Sequence, residues 1–161
     1  MPPGLEMPNT PAEIAFLAAT AVGCAVAFAL AIRKIRRDRR IRTWARAASP
    51  DEIAAFLSDP SRAPAGLAGP ILEATALETL WMKGDRRVLE AAARTLAHPA
   101  AFIRRMVEDA LLELTGQRFR KDGSPDPAAC RAWLSAHDAE IVFDEKEKSF
   151  VRKTSAGAGK A

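Results

Sequence analysis

Residues 100–114, AAFIRRMVEDALLEL, decide the class of fold. Ile103, Met106, Val107, Ala110, Leu111 and Leu114 recur at steps of three and four, while Arg104, Arg105, Glu108, Asp109 and Glu113 fall mainly between them. That is the period of an α-helix with one buried face, and such a face needs a partner. The flanking sequence repeats the pattern in shorter pieces. Upstream, Ser49-Pro50-Asp51-Glu52 is a capping box with Pro at the first helical position, opening a helix through Ile53, Phe56 and Leu57. Residues 59–69 hold two Pro and two Gly and read as a loop. Pro70 opens a helix through Leu72, Leu77, Leu80 and Trp81, and Gly84 stands where a C-terminal cap belongs. Asp85 is placed to cap the next helix, whose stripe is Val88, Leu89, Ala92 and Leu96 before His98-Pro99 breaks it. Downstream, Gly116 stops the helix and Asp122-Gly123-Ser124-Pro125 reads as a loop. A last helix then presents Cys130, Trp133, Leu134 and His137.

The expected fold is therefore all-α, a small domain of stacked helical hairpins over residues 49–152. One exception is expected near its end. Residues 141–152, IVFDEKEKSFVR, place two apolar triplets around a charged centre and predict a short β-hairpin with Phe143 and Phe150 against the domain. Residues 153–161 read as a disordered tail. Within this domain Ile103-Arg104-Arg105-Met106-Val107-Glu108-Asp109-Ala110-Leu111-Leu112-Glu113-Leu114 resembles the second helix of bacterial HEAT-type repeats. The following Leu114-Thr115-Gly116-Gln117 with Phe119, and Trp133 beyond, is similar to the way such repeats end. The resemblance covers residues 70–140 and implies a HEAT-like binding scaffold.

The N-terminal third reads differently. Residues 14–32, IAFLAATAVGCAVAFALAI, run for 19 positions without a charge, long enough to cross a hydrocarbon core of about 30 Å. Seven basic residues follow in ten: Arg33, Lys34, Arg36, Arg37, Arg39, Arg40 and Arg42. Length and flanking charge together predict a transmembrane helix at 14–32 and a basic juxtamembrane helix at 33–48. By the same rule the N-terminus is outside, with residues 1–13 an unstructured external stub, and the C-terminal domain is cytoplasmic at a bacterial inner membrane. No basic n-region precedes the run, so it reads as an uncleaved anchor. Ala21-Val22-Gly23-Cys24 lacks the context of a lipoprotein cleavage box. The basic cluster is expected to set topology and to hold anionic lipid head groups, at about 1 kcal/mol per residue. Ala15, Ala19, Gly23, Ala27 and Ala31 recur every four residues, a stripe that would admit a second helix for a homo-oligomer or a hetero-complex. Ile35, Ile41 and Trp44 fall near one helical face, which carries the helix onward to an interface or to the first domain contact.

Charge by position excludes one class of partner. The chain carries a formal net charge of +4, yet residues 43–161 hold 17 basic and 17 acidic side chains. A neutral folded part offers no basic face to nucleic acid, so no nucleic-acid partner is expected. Chemistry is sparse as well. His98 and His137 are the only neutral-range bases, Tyr is absent, and Ser135 beside His137 lacks a supporting arrangement. Cys130 and His137 are seven apart, too far for the usual two-ligand spacings, and both read as core positions. No phosphate loop or paired-Cys motif occurs. No cofactor, metal or catalytic set is expected. The sequence points to a membrane-anchored helical scaffold or adaptor binding a protein partner. The alternative is an accessory subunit of a larger membrane enzyme or transport complex, held through its apolar helix. Any partner surface of the domain should lie on an exposed face of the helices at 70–114.

Overall fold

The N-terminal helix α1 runs unbroken from Pro11 to Ala47 in this computed structural model, which describes residues 10–153, with all side chains in that range but those of 13, 14, 17, 18 and 21. At 1.5 Å per residue its 37 residues extend about 55 Å. Pro11 starts the helix, where its missing N–H costs nothing and its fixed φ is already helical, so the expected unstructured stub ends before residue 11. Residues 1–9 of that stub, and residues 154–161 of the expected tail, lie outside the described residues.

The expected transmembrane helix is overturned. Among the described residues no helix is long and apolar enough to cross a membrane. Of the 19 residues at 14–32, eight are Ala and one is Gly, which contribute one methyl group or none. α1 then passes without interruption into its strongly basic half. The single-pass membrane assignment, the external N-terminus and the cytoplasmic placement of the C-terminal domain at an inner membrane fall with the span.

The chain divides into two compact units, one up to Arg40 and one from Ile41. In the first, α1 presents Phe16, Val22, Val26, Phe28, Leu30 and Ile35 exposed. In the second, the last turns of α1 become core. Ile41 and Ala45 are buried with Ala48 just beyond, and Trp44 meets Phe56 edge-on at 5.7 Å between ring centroids. Four more α-helices follow among the described residues before the first strand: α2 (Pro50–Ser58), α3 (Pro70–Met82), α4 (Arg87–Thr95) and α5 (Ala101–Thr115). A 3-10 turn, Pro60–Arg62, interrupts the expected loop between α2 and α3.

The stops and starts have local causes. The capping box forms: Ser49 Oγ accepts from the Glu52 N–H at 3.2 Å and Glu52 Oε2 accepts from the Ser49 N–H at 2.7 Å. After α3 the Gly84 N–H donates to the Trp81 carbonyl and the Asp85 N–H to the Leu80 carbonyl, a Schellman stop with Gly84 at φ +70°. Asp85 Oδ1 accepts from the Arg87 N–H at 3.0 Å ahead of α4, although the N-cap position itself is taken by Arg86, whose side chain makes no cap. His98 shapes the next turn. Its Nδ1 accepts from the Ala100 N–H at 3.0 Å, and its Nε2 lies 2.9 Å from Glu73 Oε2 on α3.

α4 is the centre of this unit, packing against α2, α3 and α5 and against α6 (Pro127–Ala136). Val88, Leu89, Ala91, Ala92 and Ala93 are all buried, so α4 is covered on more than the single face that its periodicity predicts. Its alanines let four neighbours approach closely.

The all-α class also needs correction, because two small antiparallel sheets are present. The expected hairpin exists as β3 (Ile141–Asp144) and β4 (Ser149–Arg152), with Phe143 opposite Phe150. Its loop needs no Asn-Gly pair: Asp144 Oδ1 accepts from the Lys146 and Glu147 N–H groups, and Lys148 takes the positive φ. The other sheet, β1 (Arg120–Lys121) with β2 (Ser124–Pro125), replaces part of an expected loop. Asp122 and Gly123 between these strands both have positive φ, the geometry of a type I′ turn.

Candidate functional site

α3 and α5 flank α4 and leave a groove above it. Val88 and Ala92 of α4 line its base, with Leu77, Glu78, Trp81 and Met82 from α3 and Met106, Val107 and Ala110 from α5. The cavity holds about 340 Å³, within the range of ligand pockets. Its lining is apolar apart from Glu78 and includes no Lys or Arg.

The groove is rigidly held. Trp81 packs edge-on against Phe150 of β4 at 5.3 Å and donates from Nε1 to Ser149 Oγ at 3.2 Å. At the other end the His98–Glu73 contact ties α3 to the start of α5. The β3–β4 hairpin is secured to the helices in turn, because Arg86 donates to the Ile141 carbonyl at 2.9 Å.

Exposure singles out the same place. In the unit from Ile41 onward, the large hydrophobic side chains that stand more than half exposed among the described residues are Met82 and Phe102, each at 52%. Met82 lines the groove, and Phe102 lies one turn before Met106 on the same strip of α5.

A second recess, on the opposite flank of α5, is polar and holds about 500 Å³ among Arg104, Arg105, Glu108, Asp109, Arg118 and Arg120. Its charges are largely spent on one another. Glu108 pairs with Arg120 at 2.8 Å and Arg118 at 3.4 Å, Asp109 pairs with Arg118 at 3.7 Å, and Arg104 donates to the His98 and Pro99 carbonyls.

The sequence-predicted residues are placed as follows. Arg33, Lys34, Arg36, Arg37, Arg39, Arg40 and Arg42 are exposed on α1, with Arg37 Nε 3.9 Å from Asp38 Oδ1. Ala15, Ala19, Gly23, Ala27 and Ala31 are likewise exposed on α1. Cys130 is fully buried, and that burial, with Glu90 adding to it, pushes its thiol up to about 12. His137 stacks on Trp133 at 4.2 Å, and its Nδ1 is 2.8 Å from the Trp133 carbonyl. These two residues are not brought together as a site. Among the described residues no group of three or more His, Cys, Asp or Glu converges as a metal site would. The groove itself was not legible from periodicity, because Met82 and Phe102 lie off the predicted stripes. No protein-family model, curated protein or solved structure matches the chain.

Proposed function

We propose that the helical unit is a protein-binding scaffold, HEAT-like in kind, that takes an apolar segment of a partner into the groove of α3, α4 and α5. The carrying observation is that Met82, one of the two large apolar side chains left more than half exposed among the described residues of this unit, lines an apolar groove, and the other, Phe102, lies one turn from the groove residue Met106 on α5. Exposed apolar patches with a formed recess mark interaction sites on folded domains. The short turns between α3, α4 and α5 support the scaffold reading, since each helix presents a fixed face to its neighbour. Filling the groove tests it. Ala110→Trp should leave the thermal unfolding transition in place while the chain no longer retains its partner on affinity purification from its native host. Unchanged partner recovery with the groove filled would dispose of the reading.

A second reading rests on α1, where Phe16, Val22, Val26, Phe28, Leu30 and Ile35 stand exposed. Here the chain is an accessory subunit held by a partner helix against residues 14–32. Replacing that segment with an unrelated helix separates the two, since the scaffold keeps its partner and the accessory subunit loses it.

A further inference from the structure

We infer that the occupant of the groove is an amphipathic helix of a partner protein whose apolar face is edged by Lys or Arg; this rests on the protein-binding reading above. The argument comes from the acidic side chains of the two walls. α3 carries Glu73 and Glu78, and α5 carries Glu108, Asp109 and Glu113. Three of the five are engaged within the fold: Glu73 with His98, Glu108 with Arg118 and Arg120, and Asp109 with Arg105 and Arg118. Glu78 and Glu113 make no ion pair or side-chain hydrogen bond among the described residues, and both are exposed.

These two belong to the two helices that flank the groove. Glu78 lines it directly, and Glu113 lies one turn beyond Ala110 and two beyond Met106 on α5. Basic side chains close in sequence are engaged elsewhere. Lys83 donates to the Ala48 carbonyl at 2.7 Å, and Arg104 holds the turn at His98 and Pro99. An apolar trough lined by the unpaired Glu78, with the unpaired Glu113 on the helix across it, selects a ligand with an apolar centre and a cationic edge. A helix laid in a groove presents that pattern at i, i+3, i+4 and i+7. A fatty acid is disfavoured on the same ground, since its carboxylate would meet two of its own sign. The carboxylates are exposed, so they contribute selectivity and salt dependence more than affinity.

The test titrates the full chain with labelled helical peptides of equal length and identical Leu face, edged by Lys, by Gln or by Glu. At low salt the Lys peptide should bind roughly threefold to tenfold tighter than the Gln peptide, with the Glu peptide weakest. This order should narrow as salt rises and vanish in the double variant E78Q/E113Q. A110W should abolish binding of all three. Equal binding of the Lys and Gln peptides, or a preference that survives E78Q/E113Q, overturns the inference and leaves the groove reading standing. Failure of every peptide to bind, or binding indifferent to A110W, overturns the groove reading itself. Self-association of the chain that A110W removes would assign the groove to a second copy and overturn the inference.

Discussion

A β-carbon built on Gly84 would lie 2.7 Å from Cδ1 of Phe143 and 2.8 Å from its Cγ. The glycine that stops α3 is therefore also the floor on which the β3–β4 hairpin rests. Its φ of +70° disfavours any other residue, and the ring excludes a side chain as well. Gly84→Ala should cost about 2–4 kcal/mol, combining the left-handed backbone penalty with overpacking. Urea unfolding measures it. The double variant Gly84→Ala/Phe143→Ala should recover part of the loss over Phe143→Ala alone, and strict additivity would mean that the ring is not the obstacle.

His98 offers a second test of the frame around the groove. Because the Ala100 N–H donates to Nδ1, the ring proton belongs on Nε2, where it donates to Glu73 Oε2 at 2.9 Å. His98→Ala leaves a part-buried amide and a carboxylate without their partner and should cost about 1–3 kcal/mol. Long-range nitrogen–proton NMR correlations should show the Nε2–H tautomer. The Nδ1–H tautomer would contradict the turn as described.

Several carboxylates tie stability to pH. Ser49's backbone N–H and then its hydroxyl hold Glu52 below its ordinary value of 4.5. The Ser61 hydroxyl and amide hold Asp59 below 3.8, and the Arg87 guanidinium, with its amide, does the same for Asp85. Each depressed value means that the folded state favours the ionised form. The resulting stability is fully present above the unfolded values and is lost as pH falls through the folded ones. Denaturant midpoints should stay flat from neutral pH down to about 5 and then drop steadily below about 4. Ser49→Ala should lower the midpoint at neutral pH and shallow that acid limb. An unchanged limb would remove the capping box from the account.

The two thiols should react very differently. Cys24 is exposed on α1, whereas Cys130 is buried with its thiol pushed up to about 12. One thiol should react with a disulfide reagent at mildly alkaline pH in the native chain, and both in denaturant. Rapid native labelling of Cys130 would contradict its place on the buried face of α6.

The helical unit was legible wherever a local signal fixes a local structure. Ser49 with Glu52, Pro70, Gly84, Asp85 and Gly116 each mark a helix end through their own backbone chemistry. Asp122-Gly123 is a type I′ turn pair, but the strands it joins are two residues each, too short to show an alternating pattern. Residues 14–32 misled in the opposite direction. Absence of charge over 19 positions satisfies a length rule, yet among the described residues no helix is long and apolar enough to cross a membrane. The groove had no local signal at all. α3, PILEATALETLWM, is apolar on nearly every side, so only its placement beside α5 and α4 shows that Met82 opens onto a groove with Met106 and Ala110.

Site-specific photo-crosslinking in the native host tests the central claim most directly. A photoreactive phenylalanine analogue replacing Met82 or Phe102 should give a discrete crosslink to one partner protein. The same group at Ser135 or Glu147, exposed positions on α6 and the hairpin loop, should give none. Crosslinks at Ser135 and Glu147 with none at Met82 and Phe102 would contradict the groove as the partner-binding site.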